Sequence, residues 1–217
     1  MVYNVICIVM SSGGLILKII GLCGGSGSGK GTVSVLFLKH GFRTVDTDAV
    51  YHKLVSRKTK CLDALVLEFG EEILSSDGSL DRKKLSSIVF KSEDSATKLA
   101  KLNSIAHKFV LEETRAQIAR FEKQGVPAVL IDAPLLFESG FNKECDKIIC
   151  VTANKDLRVD RIMKRDGISK KDAFLRVNTQ LPDDYLIKNS DYNIENNKTT
   201  AELVLAVDET AKKILNL

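Results

Sequence analysis

Residues 15–32 read LILKIIGLCGGSGSGKGT, an apolar run that empties into a loop of small residues and then reaches a lysine. The pattern is a buried strand, a glycine-rich turn and the start of a helix. Gly24, Gly29 and Lys30 satisfy the G-x-x-x-x-G-K spacing of a phosphate-binding loop. Glycines let the backbone curl until successive N–H groups point inward at phosphate oxygens. The helix that follows adds free N–H groups and the positive end of its dipole. Gly24, Gly25, Ser26, Gly27, Ser28, Gly29, Lys30, Gly31 and Thr32 are therefore the expected ATP-phosphate contacts, with Lys30 as the mobile cation.

One position departs from the common pattern. A Ser or Thr usually follows the lysine and places its hydroxyl on Mg²⁺. Here Gly31 stands there and Thr32 comes next. One residue is about 100° around a helix, so Thr32 does not take over that place. The same G-K-G-T run occurs in nucleoside monophosphate kinases, which the loop resembles. Metal is then expected to be held by nucleotide phosphates, water and a carboxylate elsewhere.

Of the 217 residues, 44% are hydrophobic and 28% charged, the balance of a soluble α/β chain with a sizeable core. The net charge is +4, and residues 153–188 hold nine Lys/Arg against six Asp, an excess of three. That stretch is either a solvated helical face or a basic surface over an anionic ligand. The cluster lacks interleaved aromatics, so no nucleic-acid partner is expected. Five cysteines with no C-x-x-C argue against a disulfide framework or a zinc site and fit reduced thiols in the cytoplasm. Cys23 and Cys150 lie in apolar runs and read as small core residues. Residues 1–14 read as a short extension, an extra strand or an unstructured leader. No Lys or Arg precedes its apolar part, and Ser11, Ser12, Gly13, Gly14 and Lys18 interrupt any longer span. Neither a signal peptide nor a membrane helix is expected.

After the loop, Val33, Leu36 and Phe37 continue a helix that Gly41 stops. Residues 42–45 form a short strand ending at Asp46-Thr47-Asp48. Carboxylates at a strand's C-terminal end lie where α/β sheets bind ligands. Asp48 is a candidate cap for a helix starting at Ala49, and two acids in three residues leave one free for chemistry. Residues 49–122 read as helical throughout, with Leu62, Leu65, Val66 and Phe69 on one stripe and Leu99, Leu102, Ala106, Phe109 and Val110 on another. An insertion of that size is too long for a simple crossover and is expected to hold the second substrate. His107 lies beside the second stripe, where packing or capping is the plainer role. Residues 126–131 form a strand ending in Asp132, the carboxylate type that orients metal-bound water beside such a loop. Residues 147–151 and 191–194 add two more strands. Arg158, Arg161 and Arg165 share one helical face, and Arg176 follows Gly167. They suit a helical pair closing over phosphates, or a salt-bridged surface helix.

Taken in order, the segments GLCGGSGSGKGT, VDTDAVYHKL, FGEEILSSDGSLDRKKLSSIVF, LNSIAHK, IDAPLLFESG, DKIICVTA, RVDRIMKRDGIS, RVNTQ and SDYNIENN resemble the dephospho-CoA kinase family over residues 19–197. The resemblance implies a three-layer α/β P-loop fold with a five-stranded parallel sheet. The core comprises residues 15–48, 123–152 and 183–217, with a helical CoA-binding insertion at 49–122 and a lid at 153–182. It implies phosphoryl transfer from ATP to the ribose 3′-hydroxyl of dephospho-CoA, the last step of coenzyme A synthesis. ATP and dephospho-CoA are the implied partners, Mg²⁺ the implied cofactor and a monomer the implied state.

Matched position by position, the resemblance implies Asp48 as general base, Lys30 on the ATP phosphates, and Arg161 and Arg165 as lid arginines. Asp46, Arg82 and His107 fall on the acceptor side. Asp132, on the reading of its strand end, is a candidate to orient metal-bound water rather than to ligate the metal itself. The chain departs from the family pattern at Cys23 (usually Thr), Ser26 (usually Ile), Gly31 (usually Ser) and Lys108 (usually Pro). Two alternatives stay open on sequence: a nucleoside or nucleotide kinase, which lacks the DGSLDR and PLLFESG segments, and a non-catalytic ATP-binding regulator.

Overall fold

The structure is a computed structural model, and it describes residues 16–217. The expected extension at residues 1–14 lies outside the described residues. The first half of the chain runs β1 (Lys18–Cys23), α1 (Lys30–Phe37), β2 (Arg43–Asp46), α2 (Thr47–Val55), α3 (Lys60–Phe69), α4 (Arg82–Phe90) and α5 (Ser95–Lys123). The second half runs β3 (Ala128–Asp132), β4 (Lys147–Thr152), α6 (Lys155–Asp166), α7 (Lys170–Asn178), α8 (Asp183–Lys188), β5 (Tyr192–Glu195) and α9 (Thr200–Leu215). The strands form one parallel sheet in the order β2-β3-β1-β4-β5.

A parallel sheet with helices on both faces needs apolar residues on both sides of each strand. Ile20 and Leu22 of β1, Ala128 and Leu130 of β3, and Ile149 and Val151 of β4 pack with Val33 and Phe37 of α1 and Leu203, Val207, Ala211 and Ile214 of α9. The alternate residues, Cys23, Val129, Ile131, Ile148 and Cys150, face the opposite way and meet Ile118 of α5 and Leu186 of α8. This explains why the strands read as continuous apolar runs rather than alternating ones. Burying each Leu, Ile or Phe is worth about 1.5–3 kcal/mol. Cys23 and Cys150, paired in register, are buried and free of disulfides, as expected of small core residues.

Helices α2 to α5 gather around their own buried cluster, including Leu62, Leu65, Phe69, Ile73 and Val89. Helices α6 and α7 share a smaller one of Val159, Ile162, Ala173 and Val177. Among the described residues no helix is long and apolar enough to cross a membrane.

One sequence expectation is corrected. The helix after β2 starts at Thr47 rather than Ala49, and Asp46 is its cap, accepting the Ala49 N–H at 2.9 Å. Asp48 sits in the first turn instead, its carboxylate left out of the capping.

Candidate active site

In the loop after β1 two N–H groups are already engaged: Ser26 donates to Gln180 Oε1 at 2.8 Å and Ser28 to the Gly25 carbonyl at 3.1 Å, so neither is a free donor for phosphate. Gly29 caps α1 with a left-handed φ of 99°, a conformation that costs a glycine little. The first turn of a helix has no internal acceptors, so the N–H groups of Lys30, Gly31 and Thr32 are left for a ligand. Lys30 Nζ donates to the Gly24 carbonyl at 3.0 Å, which folds the ammonium back over the loop. A cavity of about 460 Å³ opens here, lined by loop residues together with Asp46, Asp48, Asp132, Arg161, Arg165 and Gln180.

Three carboxylates close the strand side. Asp46 and Asp132 are in register on neighbouring strands. Asp46 is committed to its helix cap. Asp132 has a buried Oδ1 with no hydrogen-bond partner. Burial pushes its carboxyl above the usual range; Lys30 opposes that, while Asp46 and Asp48 add to it. A buried acceptor without a partner, beside a phosphate cavity, fits a water molecule carried by a metal ion. Among the described residues no group of three or more His, Cys, Asp or Glu forms a metal cage. An ion bound here would need phosphate and water oxygens beside any carboxylate.

Helix α6 sets its arginines against the loop at three depths. Arg158 is 4% exposed and pairs with Asp183 at 3.0 Å. Arg161 donates to the carbonyls of Gly27 at 3.2 Å and Asn196 at 3.1 Å. Arg165 is held by Asp166 at 2.7 and 2.9 Å and reaches the Ser26 hydroxyl at 3.4 Å. Arg176 pairs with the same Asp166. Of the three arginines predicted on one face, Arg161 and Arg165 line the cavity and Arg158 is buried beneath the loop. Asn196, within the SDYNIENN segment, donates to the Ser28 carbonyl at 2.8 Å.

A second cavity, about 260 Å³, lies on the insertion side. Tyr51, Leu102, Ala106, His107, Val110, Leu111 and Phe141 give it a largely apolar wall, and Asn103 and Ser139 supply polar groups. Asp48 and Pro134 line both cavities. Asp48 thus stands at the junction of a space lined by charged groups of both signs and an apolar one. Tyr51, missed in the sequence, is one turn after Asp48 on α2. His107 lines the apolar cavity. Arg82 lines neither cavity: it is exposed and bonded to the ring of His52.

The sequence profile of the dephospho-CoA kinases matches residues 18–202. A dephospho-CoA kinase of Bacillus anthracis is 38% identical over 181 residues, 83% of this chain and 89% of the relative. One from Fusobacterium nucleatum is 37% identical over 198 residues, 91% of this chain and 99% of the relative. A crystal structure from Thermus thermophilus superposes with a TM-score of 0.77 at 27% identity, covering 91% of this chain and 97% of that one. The matched range carries the glycine-rich loop, Asp48 and helices α2 to α7. The chain belongs to the dephospho-CoA kinase family of ATP-dependent phosphotransferases.

Proposed function

We propose that this site transfers the γ-phosphoryl group of ATP to the ribose 3′-hydroxyl of dephospho-CoA, with Asp48 as the base that takes the hydroxyl proton. The observation that carries the reading is the place of Asp48, exposed at the wall shared by the two cavities. ATP phosphates belong in the cavity of the loop, Lys30 and the lid arginines. The nucleoside end of the acceptor belongs in the apolar cavity, its hydroxyl brought to Asp48. The remainder of the acceptor extends over the helical insertion at 49–122.

The protein's work is to position and to balance charge. The loop N–H groups and Lys30 hold the β- and γ-phosphates. Arg161 and Arg165, carried by the lid at 153–182, neutralise charge on the moving group and exclude water that would hydrolyse ATP. A ribose hydroxyl is a poor nucleophile near neutral pH; a carboxylate in reach aims it and accepts its proton, help typically worth ~10²–10⁴-fold. Mg²⁺ bound to the phosphates, with Asp132 orienting its water, would supply further charge neutralisation. The buried free thiols fit a reducing compartment such as the cytoplasm.

An ADP-release assay tests the reading, with dephospho-CoA offered beside adenosine, AMP and pantothenate. Turnover is expected with dephospho-CoA and to be far weaker with the others. Preferred turnover of AMP or adenosine would contradict the assignment.

A further inference from the structure

Arg158 and Gln180 converge on a single loop residue. Arg158 Nε donates to the Ser26 carbonyl at 3.0 Å, and Nη2 donates to Gln180 Oε1 at 3.1 Å. The same Gln180 oxygen accepts the Ser26 N–H at 2.8 Å. An amide oxygen has two lone pairs, so it serves both donors and closes a ring. Asp183 neutralises the arginine from the far side, with both carboxylate oxygens on Nη1 at 3.0 and 3.1 Å.

Gly25 gives an independent sign of the same contact. A Cβ built there would lie 1.9 Å from Arg158 Nη2. Gly25 is not among the glycines with positive φ. The residue is small because the guanidinium lies against it.

We propose that Gln180 and Arg158 are positioning residues that hold Ser26, the tip of the phosphate loop, in its nucleotide-binding shape. A glycine-rich loop loses much conformational freedom when it orders around a ligand. Fixing it beforehand removes part of that cost from ATP binding. Both main-chain polar groups of Ser26 are fixed, and Ser28 N–H turns back to the Gly25 carbonyl, which leaves the free N–H groups of the first turn of α1 for phosphate. Gln180 lies in the link between α7 and α8, so the lid and the loop are set in one arrangement. This inference rests on the nucleotide reading of the loop, and it adds a role for Gln180 that is distinct from charge neutralisation by Arg161 and Arg165.

Gln180 is half-buried and outside the apolar clusters, so it can be changed with little cost to packing. The test measures binding of a non-hydrolysable ATP analogue to the full chain by calorimetry, beside steady-state kinetics. Gln180→Leu keeps the bulk and removes the acceptor. It should weaken analogue binding, and raise KM for ATP, by about tenfold, the scale of one hydrogen bond to a charged partner. KM for dephospho-CoA and the melting temperature should not move. Wild-type binding in Gln180→Leu overturns the clamp alone. So does an equal loss for both substrates that tracks a lower melting temperature. A wild-type chain that binds no analogue overturns the clamp together with the nucleotide reading.

Discussion

Asp132→Asn removes a charge that the folded chain holds at a cost. Burial raises this carboxyl, and Asp46 and Asp48 raise it further against the pull of Lys30. Its Oδ1 is buried without a partner. An unpartnered buried acceptor costs about 1–3 kcal/mol. Asparagine keeps the shape and an unpartnered oxygen but loses the charge, so the lower end of that range is the expected relief. For a chain of this size that is a rise in Tm of about 2–4 °C. Activity should move the opposite way, since losing a group that orients a metal's water typically costs about 10–100-fold. The pH dependence has a definite sign. The folded pKa lies above the unfolded one, so the folded chain binds the proton more firmly. The wild type then loses stability as pH rises from the ordinary carboxylate value through the raised folded one. The advantage of Asp132→Asn is therefore full at neutral pH and vanishes at acid pH below the ordinary value. Thermal melts across that range, beside initial rates at several Mg²⁺ concentrations, read both effects. A variant that is less stable and less active at neutral pH would make Asp132 a structural carboxylate and refute the reasoning.

Two loop substitutions make further tests. Lys30→Ala removes one cation facing the growing charge and should lower kcat/KM for ATP by about 10²–10³-fold with the fold intact, as circular dichroism would confirm. Unchanged kinetics would mean the loop is no nucleotide site. Gly31→Ser adds a Cβ into space where nothing lies within 4 Å. It should leave folding and ATP binding intact and tighten the apparent Mg²⁺ affinity or leave it unchanged, while loss of ATP binding would show that the glycine is needed for backbone shape.

The sheet was readable because each strand of a doubly covered sheet is apolar on both faces, as Ile149 and Cys150 show on opposite sides of β4. The phosphate loop was readable because its glycines and lysine answer one local demand. Asp46 and Asp48 were harder to separate. Either spacing suits a cap, and only the true helix start, Thr47, assigns the capping to Asp46. The arginines of α6 share a face by helical period. Period says nothing of depth, however, and seven residues span roughly 10 Å along the axis. Arg158 at the root is buried under the loop while Arg165 reaches its edge. Gln180 sits in a link with no period, so nothing local announces its contact with a residue far away in sequence. Arg82 was placed by resemblance alone, and its position on His52 sets it outside both cavities.

The central claim is that Asp48, at the junction of the two cavities, accepts the proton of the acceptor hydroxyl. Asp48→Asn keeps the size and one acceptor oxygen but does not take a proton. Rapid-mix single-turnover transfer from ATP to dephospho-CoA, with binding of each substrate measured separately, tests it most directly. The expected result is transfer slowed by about 10²–10⁴-fold with both affinities little changed, and a milder effect for Asp46→Asn, whose side chain caps α2. Normal transfer by Asp48→Asn would contradict the account, and with a dead Asp46→Asn it would move the base to the other aspartate.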